Sequence, residues 1–223
     1  MKSYQQYCSV ARALDVVGDR WVLLIVRELL ALGPSRYSDL KRGLPGIATN
    51  LLAERLKVME AEGLLERYEA PAPVGATLYQ LTVRGRELQE VVHALARWGL
   101  GRMQDGAEPG DAVQPQWTAL LAGLELSPHV APEAEAVVVG IETGDEAVHA
   151  ILRHGAFEIR RGAASGADVT LSGEPQLVGA VLSGLLSPGQ AAAHGLTIAG
   201  APSVLAELLH VPARPSPRSG DTP

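Results

Sequence analysis

The sequence predicts two domains, a mainly α-helical domain followed by an α+β domain, and three observations support this division. First, 223 residues suit two domains of about 100 residues each. Second, residues 104–115 read QDGAEPGDAVQP, which has no apolar periodicity and is typical of a linker. Third, the formal charge changes sign there, because residues 1–103 hold 14 Lys and Arg against 11 Asp and Glu, whereas residues 104–223 hold 5 against 14.

These observations set the expected boundaries. We expect the first domain at residues 1–103, the linker at 104–115 and the second domain at 116–211. Residues 212–223 read PARPSPRSGDTP and are expected to form a disordered tail, because this proline-rich segment has almost nothing to bury.

Composition and motifs exclude several classes of protein. The chain is 47% apolar and 20% charged, without an apolar run of about 18 residues or a signal-peptide layout, so we expect a cytoplasmic protein without membrane contact. Cys8 is the only cysteine, which excludes an intramolecular disulfide and a zinc site with two thiolates. There is no P-loop, nucleophile elbow or H-E-x-x-H motif, so we expect no enzyme, metal or cofactor.

The order of elements in the first half predicts a helix-turn-helix with a wing. Helices are expected at residues 8–17, 20–32, 36–43 and 48–62, with Gly33 and Pro34 ending the second and Ser35 capping the third. The second is apolar on most sides and should lie at the centre of a bundle. Strands at 65–69 and 78–81 then flank an APAPVGA loop, and a last helix is expected at 82–98.

The helix at 48–62 has an apolar and a polar side, which makes it the candidate for reading DNA. An advance of about 100° per residue gives an apolar set and a polar set: Ala48, Leu51, Leu52, Leu56 and Met59, and Thr49, Asn50, Ala53, Glu54 and Lys57. Asn can pair with adenine, and Thr and Ala can contact the thymine methyl group. Thr49, Asn50 and Ala53 are therefore expected to touch base edges.

Basic and polar residues around this helix are expected to contact DNA phosphates, which set register rather than sequence preference. The expected contacts are Arg36, Ser38, Lys41, Arg42, Lys57, Arg67, Tyr68 and Arg84. A solvated helix face would show the same polarity, so the order of elements supports DNA binding more than composition does. Arg55 fits a structural pair with Asp39 or Glu62 as well as it fits a phosphate contact.

Three segments carry a resemblance to a known family: YCSVARALDVVGDRWVLLIVRELL, RYSDLKRGLPGIATNLLAERLKVMEAEGLLER and YQLTVRGRELQEVVHALARWG. Over residues 7–99 the chain resembles the HxlR family of bacterial winged-helix transcriptional regulators. The resemblance implies a homodimer that binds double-stranded operator DNA, in most members as a repressor. The dimer seam is expected along the last helix, with the first helix beside it, at Leu88, Val92, Leu95 and Trp98.

Cys8 lies where several members of that family have a redox-sensing cysteine. The start of a helix favours a thiolate, which gives such a role a physical basis. A lone cysteine also packs as a small apolar group. With no second cysteine, sensing would need an intersubunit disulfide or an adduct.

The second half predicts a sheet covered by helices. A helix at 118–124 precedes strands at 136–142, 147–153, 157–161 and 167–171, and then come helices at 175–185 and 187–194, a strand at 196–199 and a helix at 202–209. The stretch DVTLSGEPQLVGAVLSGLLSPGQAAAHGLTIAGAPSVLAELL resembles the sterol-carrier-protein-like fold, which surrounds a lipid tunnel. The candidate ligand contacts, which fit a plain apolar core equally well, are Trp117, Phe157, Ile159, Leu177, Val181, Leu182, Leu185, Leu205 and Leu208.

The expected function is a sequence-specific DNA-binding transcriptional regulator, a repressor, whose second domain senses a small apolar ligand or only supports the dimer. One alternative is a carrier of lipids or other apolar ligands whose first domain serves protein contacts. A second is a thiol-based regulator that responds to oxidants through Cys8.

Overall fold

The computed structural model describes residues 3–73, 75–99, 108 and 110–209. Residues 104–107 and 109 of the predicted linker and the whole tail at 212–223 lie outside these residues, so the domain boundaries stay a prediction. No helix in the described ranges is long and apolar enough to cross a membrane.

The first half contains six helices and a hairpin among its described residues. The elements are α1 (Ser9–Val17), α2 (Val22–Leu32), α3 (Tyr37–Arg42), α4 (Thr49–Ala61), β1 (Leu65–Glu69), β2 (Thr77–Leu81), α5 (Val83–Arg86) and α6 (Gln89–Gly99). The two strands pair antiparallel, with Leu65 opposite Leu81, and form the predicted wing. The expected order of helix-turn-helix and wing is therefore present.

Helix α2 lies at the centre of the first apolar core, as its sequence predicts. Val22, Ile25 and Val26 are fully buried, and they pack with apolar residues of α3, α4 and the wing. A helix with so many apolar sides is stable only when its neighbours cover it.

The prediction of one helix at 82–98 is wrong, because the chain turns between α5 and α6. Thr82 caps α5 by accepting a hydrogen bond from the Gly85 backbone N–H at 3.0 Å. Any side chain at Gly85 would collide with the Leu64 carbonyl, so α5 lies directly against the start of the wing. Residues 87–88 then form the turn that separates α5 from α6.

The second half forms a five-stranded mixed sheet with covering helices. Its elements are α7 (Pro115–Leu126), β3 (Val137–Thr143), β4 (Glu146–Arg153), β5 (Ala156–Arg161), β6 (Val169–Ser172), α8 (Pro175–Leu182), α9 (Pro188–Ala193), β7 (Thr197–Gly200) and α10 (Pro202–Leu209). The strand order is β5-β4-β3-β6-β7, and β3 and β6 are the parallel pair. Helix α8 ends three residues earlier than predicted, because Gly184 has a φ of 74° that helical residues do not adopt.

Helix α7 joins the two halves of the molecule. It packs on β4 and β5 of the sheet and also on α2 of the first core. It begins at Pro115, which is buried, so the last residue of the predicted linker already belongs to this helix. Gly123 lets the Phe157 ring pack against the helix backbone, because any side chain there would collide with that ring.

The contact between α2 and α7 is centred on the carboxylate of Glu28, which is 0% exposed. Its oxygens accept hydrogen bonds from Gln116 Nε2 at 2.9 Å and from Trp117 Nε1 at 2.6 Å. Arg27 Nε donates to the same carboxylate at 2.9 Å, and the Arg27 guanidinium lies 4.2 Å from the centre of the Trp117 ring. A side chain at Gly43 would collide with Glu28, so α3 also closes over this carboxylate.

Replacing Glu28 tests this contact. Glu28→Ala leaves the Arg27, Gln116 and Trp117 donors without their shared acceptor, so the free energy of unfolding should fall by about 3 kcal/mol or more. Urea titration followed by tryptophan fluorescence measures this change. Glu87→Ala, a matched change at an exposed carboxylate, should stay within about 0.5 kcal/mol of the parent chain. Equal losses in the two variants would contradict a central role for Glu28.

Candidate nucleic-acid interface

Helix α4 has a buried and an exposed side. Leu52, Leu56 and Met59 are buried in the first core. The exposed residues include Thr49, Asn50, Ala53 and Lys57. The assignment of Ala48 to the apolar side is wrong, because Ala48 has an extended backbone before the first helical turn and is exposed.

Helix α3 holds the N-terminal end of α4. Tyr37 Oη donates a hydrogen bond to the Thr49 carbonyl at 2.7 Å. Lys41 Nζ donates to the Ile47 carbonyl in the turn between the helices. Lys41 is half-buried. Its ammonium therefore positions the start of α4 in the free protein, and the phosphate contact predicted for Lys41 stays a prediction.

Arg55 forms a structural ion pair, although with a partner that the sequence did not indicate. Its Nε lies 2.9 Å from Asp19 Oδ2, without the alignment of a hydrogen bond, and both side chains are largely buried. Asp39 and Glu62, the expected partners, do not make this contact. The pair ties α4 to the turn between α1 and α2.

Two cations of the wing region contact the C-terminal part of α4 or the residue after it. Arg67 Nε lies 3.3 Å from Glu60 Oε1. Arg84 Nη1 donates to the Glu62 carbonyl at 3.1 Å. Both side chains remain exposed, so their predicted phosphate contacts would require them to share or leave these partners.

The remaining predicted contacts lie at the surface. Arg36, Ser38, Lys57 and Tyr68 are exposed. Lys57 has no ion pair within the described ranges, which leaves its ammonium open to a phosphate. The geometry therefore presents base-contacting residue types at the start of α4 and a cation further along the same side.

The second domain contacts α3 through residues that sequence reasoning missed. Arg42, a predicted phosphate contact, lies 3.2 Å from Asp39 Oδ1 and 3.6 Å from Glu146 Oε1. Arg161 also reaches Asp39, at 3.3 Å. No local pattern marks these contacts, because β4 and β5 are far from α3 along the chain.

The predicted dimer seam needs a correction at two positions. Val92 is only 7% exposed and packs in the first core of its own chain, and Leu88 is half-buried against the same core. The outer side of α6 instead presents Val91 with Leu95 and Trp98, which are 48% and 78% exposed. Spacings of four and three residues place Val91, Leu95 and Trp98 on one side of α6, whereas Val92 faces the core. Exposed apolar residues of α1 and the segment before it are Tyr7, Val10 and Leu14.

Cys8 is exposed at the start of α1. Hydrogen bonds from the backbone N–H groups of Ala11 and Val10 lower the pKa of the Cys8 thiol, because they stabilise the thiolate. The thiol therefore ionises more readily than an ordinary cysteine and is accessible to reagents.

Most of the predicted ligand contacts pack in the second apolar core. The helix residues Val181, Leu182, Leu205 and Leu208 are buried in the second core, Leu177 packs against it, and Leu185 is 46% exposed. Trp117 donates to Glu28 in the first domain. Trp117 therefore serves the contact between the domains, and ligand binding by the other residues stays a prediction.

Phe157 and Ile159 line a cleft between the two domains. Arg27, Leu30 and His93 lie on its other side. The His93 ring stacks on Phe157 with a centroid distance of 4.7 Å. Burial lowers the pKa of His93, and nearby Glu90 partly opposes this shift, so the imidazole favours its neutral form. Within the described ranges, no group of three His, Cys, Asp or Glu side chains is placed to hold a metal ion.

Comparisons with known proteins agree with the fold of the first half. The model of the HxlR-like helix-turn-helix family matches residues 16–106. An uncharacterised HTH-type transcriptional regulator of Bacillus subtilis, YvaP, is 36% identical over 87 residues, which cover 39% of this chain and 80% of YvaP. The HTH-type transcriptional regulator YodB of the same organism is 35% identical over 101 residues, covering 45% of this chain and 86% of YodB.

A solved structure of reduced YodB is 33% identical, covers 48% of this chain and all of YodB, and has a TM-score of 0.38. The assignment of the family therefore rests on the sequence relatives, which this chain covers over most of their length. Together with the winged helix-turn-helix geometry, they show that the chain belongs to the HxlR-like helix-turn-helix family of DNA-binding transcriptional regulators.

Proposed function

We propose that this protein is a dimeric repressor that reads operator DNA with the N-terminal half of α4. The observation that carries this proposal is the exposure of Thr49, Asn50 and Ala53 on a helix end that α3 holds in place. These side chains suit adenine and the thymine methyl group in the major groove. Repression, as the direction of regulation, is supported by the resemblance to the HxlR family.

The second domain supports selectivity through its charge. Its described residues include only three cations, Arg153, Arg160 and Arg161, among a larger number of acids. An acidic domain beside the reading helix repels phosphates and weakens binding that does not depend on sequence. Contacts from α4 then contribute a larger share of the preference for operator DNA over other DNA.

Two substitutions on α4 test DNA reading. Asn50→Ala should cost about 1 to 3 kcal/mol of binding free energy at a base pair in each half-site and relax the preference there. Lys57→Ala should weaken binding to all sequences about equally. It should also reduce the slope of log affinity against log salt concentration by about 1. Fluorescence anisotropy on a footprinted site near the protein's own gene, repeated over a salt series and with each base pair changed, measures both.

The two variants serve as controls for each other, because each removes one exposed side chain from the same helix. Unchanged binding in both would show that α4 does not read this DNA. An Asn50→Ala chain that loses the same affinity on every altered site would show that Asn50 contributes no base preference.

We also propose that the exposed apolar residues of α1 and α6 form the dimer seam. Val91, Leu95 and Trp98 lie on one side of α6 and remain uncovered by the second domain. Such a contiguous apolar surface is typical of a protein–protein interface. A two-fold dimer would present two α4 helices to half-sites about 34 Å apart.

A charge on this surface tests the dimer. Trp98→Glu should convert a species of twice the 23.5 kDa chain mass into single chains, because burial of an unpaired carboxylate is unfavourable. Native mass spectrometry measures the masses. Leu185→Glu, at an exposed apolar residue of the second domain, should leave the dimer intact. A dimer that survives Trp98→Glu would place the seam elsewhere.

A sterol-carrier-like second domain that binds an apolar effector is a further proposal. The support is the resemblance together with the observed succession of a mixed sheet and covering helices. The same mass spectra test it, because a retained lipid would add its mass to the protein. Full-length protein that neither copurifies with nor takes up a fatty acid would argue against it.

A thiol-based response is the second candidate function, and the environment of Cys8 supports it. Its thiol is exposed, and backbone hydrogen bonds lower its pKa. It lies beside the exposed Tyr7 and Val10 of the proposed seam. Two Cys8 thiols brought together there could form an intersubunit disulfide, with an oxidant such as diamide accepting the two electrons and two protons.

The pH dependence of alkylation tests the state of Cys8. A lowered pKa means that the thiolate persists as the pH falls below the ordinary thiol pKa of about 8.5. The pH at which iodoacetamide reacts at half its maximal rate should therefore be lower for Cys8 than for the cysteine of an unstructured peptide. A half-maximal pH equal to that of the peptide would contradict the lowered pKa. DNA binding by the Cys8→Ser chain should not respond to diamide, and an unchanged response would remove the redox role.

A further inference from the structure

One side chain of the second domain makes three contacts with the first. Arg161 is the last residue of β5. Its Nε donates to the Leu32 carbonyl at 3.3 Å, and its Nη2 donates to Ser35 Oγ at 2.7 Å. Its Nη1 lies 3.3 Å from Asp39 Oδ2. The three acceptors belong to the end of α2, to the connection after it and to α3.

Two of these acceptors also make hydrogen bonds that hold the helix-turn-helix and the wing together. Ser35 is buried, and its backbone exchanges hydrogen bonds with Tyr79 of the wing at 3.0 and 2.9 Å. Asp39 Oδ2 also accepts from the backbone N–H of Arg36, the N-cap residue of α3, at 3.3 Å. The sequence-based expectation that Ser35 caps α3 is therefore corrected, because Asp39 supplies the acceptor at that end.

Helix α3 needs such support. It has six residues, and helices of that length are unstable without tertiary contacts. Its own contacts then position α4, through Tyr37 Oη on the Thr49 carbonyl and Lys41 Nζ on the Ile47 carbonyl. A displacement of α3 would therefore move the end of α4 that carries the candidate base contacts.

The fold directs Arg161 toward α3. Arg161 is paired with Val148 in the sheet, on the same side as the buried Val148 and Ala150 and the half-buried Ile159. Arg160, its neighbour, lies on the other side of the sheet, and its guanidinium forks on Glu158 with distances of 2.9 and 3.0 Å. Of these two adjacent arginines, Arg161 therefore contacts the other domain, whereas Arg160 forms an ion pair at the surface.

We propose that Arg161 is a positioning residue for DNA recognition, through which the second domain holds α3 and the start of α4 in the orientation that reads DNA. The inference rests on the proposed function of α4. The pair between Arg42 and Glu146 at 3.6 Å reinforces the same contact between the domains. Arginine suits this place because its planar group can serve three acceptors at once, which the single ammonium of lysine does less well.

Arg161→Ala tests the proposal in the full chain. Affinity for the footprinted site should fall about three- to tenfold, as for other residues that couple elements at a distance. The slope of affinity against salt should stay unchanged, because Arg161 contacts the protein and no phosphate. Arg160→Ala removes the same charge one residue away and should change the affinity less than twofold. Arg161→Lys should recover part of the loss through the pair with Asp39.

A double substitution tests whether Arg161 acts through Ser35 and Asp39. In a Ser35→Ala and Asp39→Ala background, Arg161→Ala should add little further loss, because its two side-chain acceptors are already removed. Hydrogen exchange provides a readout without DNA, since the backbone amides of α3 should exchange faster in Arg161→Ala and not in Arg160→Ala.

Each other outcome overturns the proposal in a distinct way. A salt slope that falls by about 1 in Arg161→Ala would make Arg161 a phosphate contact. Equal losses of DNA affinity in Arg160→Ala and Arg161→Ala would show that the net charge of the second domain, and not the contact with α3, causes the effect. Unchanged affinity and exchange in Arg161→Ala would show that the contact does not position α3. If Arg161→Ala fails to fold, Arg161→Gln supports the same comparisons. A parent chain that binds no DNA refutes the proposed function, whereas the exchange data still decide whether Arg161 holds α3.

Discussion

The buried carboxylate of Glu28 is the interaction on which the arrangement of the two domains depends. A charge in that position is tolerated only because Arg27, Gln116 and Trp117 all donate to it. Two of these donors come from the start of α7, so the carboxylate determines where α7 meets α2. Helix α7 also packs on β4 and β5, so its position determines the position of the whole sheet relative to the first domain. As a result, β5 lies beside α2.

This docking changes the character of the DNA-binding domain. Several cations that would serve a phosphate-binding surface contact protein atoms: Lys41 on a turn carbonyl, Arg55 on Asp19, Arg67 on Glu60 and Arg42 on the second domain. A surface with few open cations binds DNA weakly without the correct base contacts. The geometry is therefore consistent with recognition that depends on the α4 side chains and on the precise placement of that helix.

Local patterns predicted most elements and the polarity of α4, because amphipathic spacing and Gly or Pro punctuation act within a few residues. They failed where a contact arises between distant segments. On α6, Val92 packs in the core and its neighbour Val91 lies outside, which depends on the side of the helix that the rest of the domain covers. Phe157 and Ile159 looked like ligand contacts in their own domain, yet they line a cleft against the first.

The sequence by itself determined the order of the helix-turn-helix and wing and the side chains offered by α4, since these follow from residue types at short spacing, and it carried the resemblance to the family of the first domain. Only the tertiary structure decided which charges are free, which apolar side of α6 is exposed, and that the second domain touches α3. Arg161 and Leu32 are 129 positions apart. Contacts of that kind depend on how two cores pack together, which periodicity along the chain does not encode.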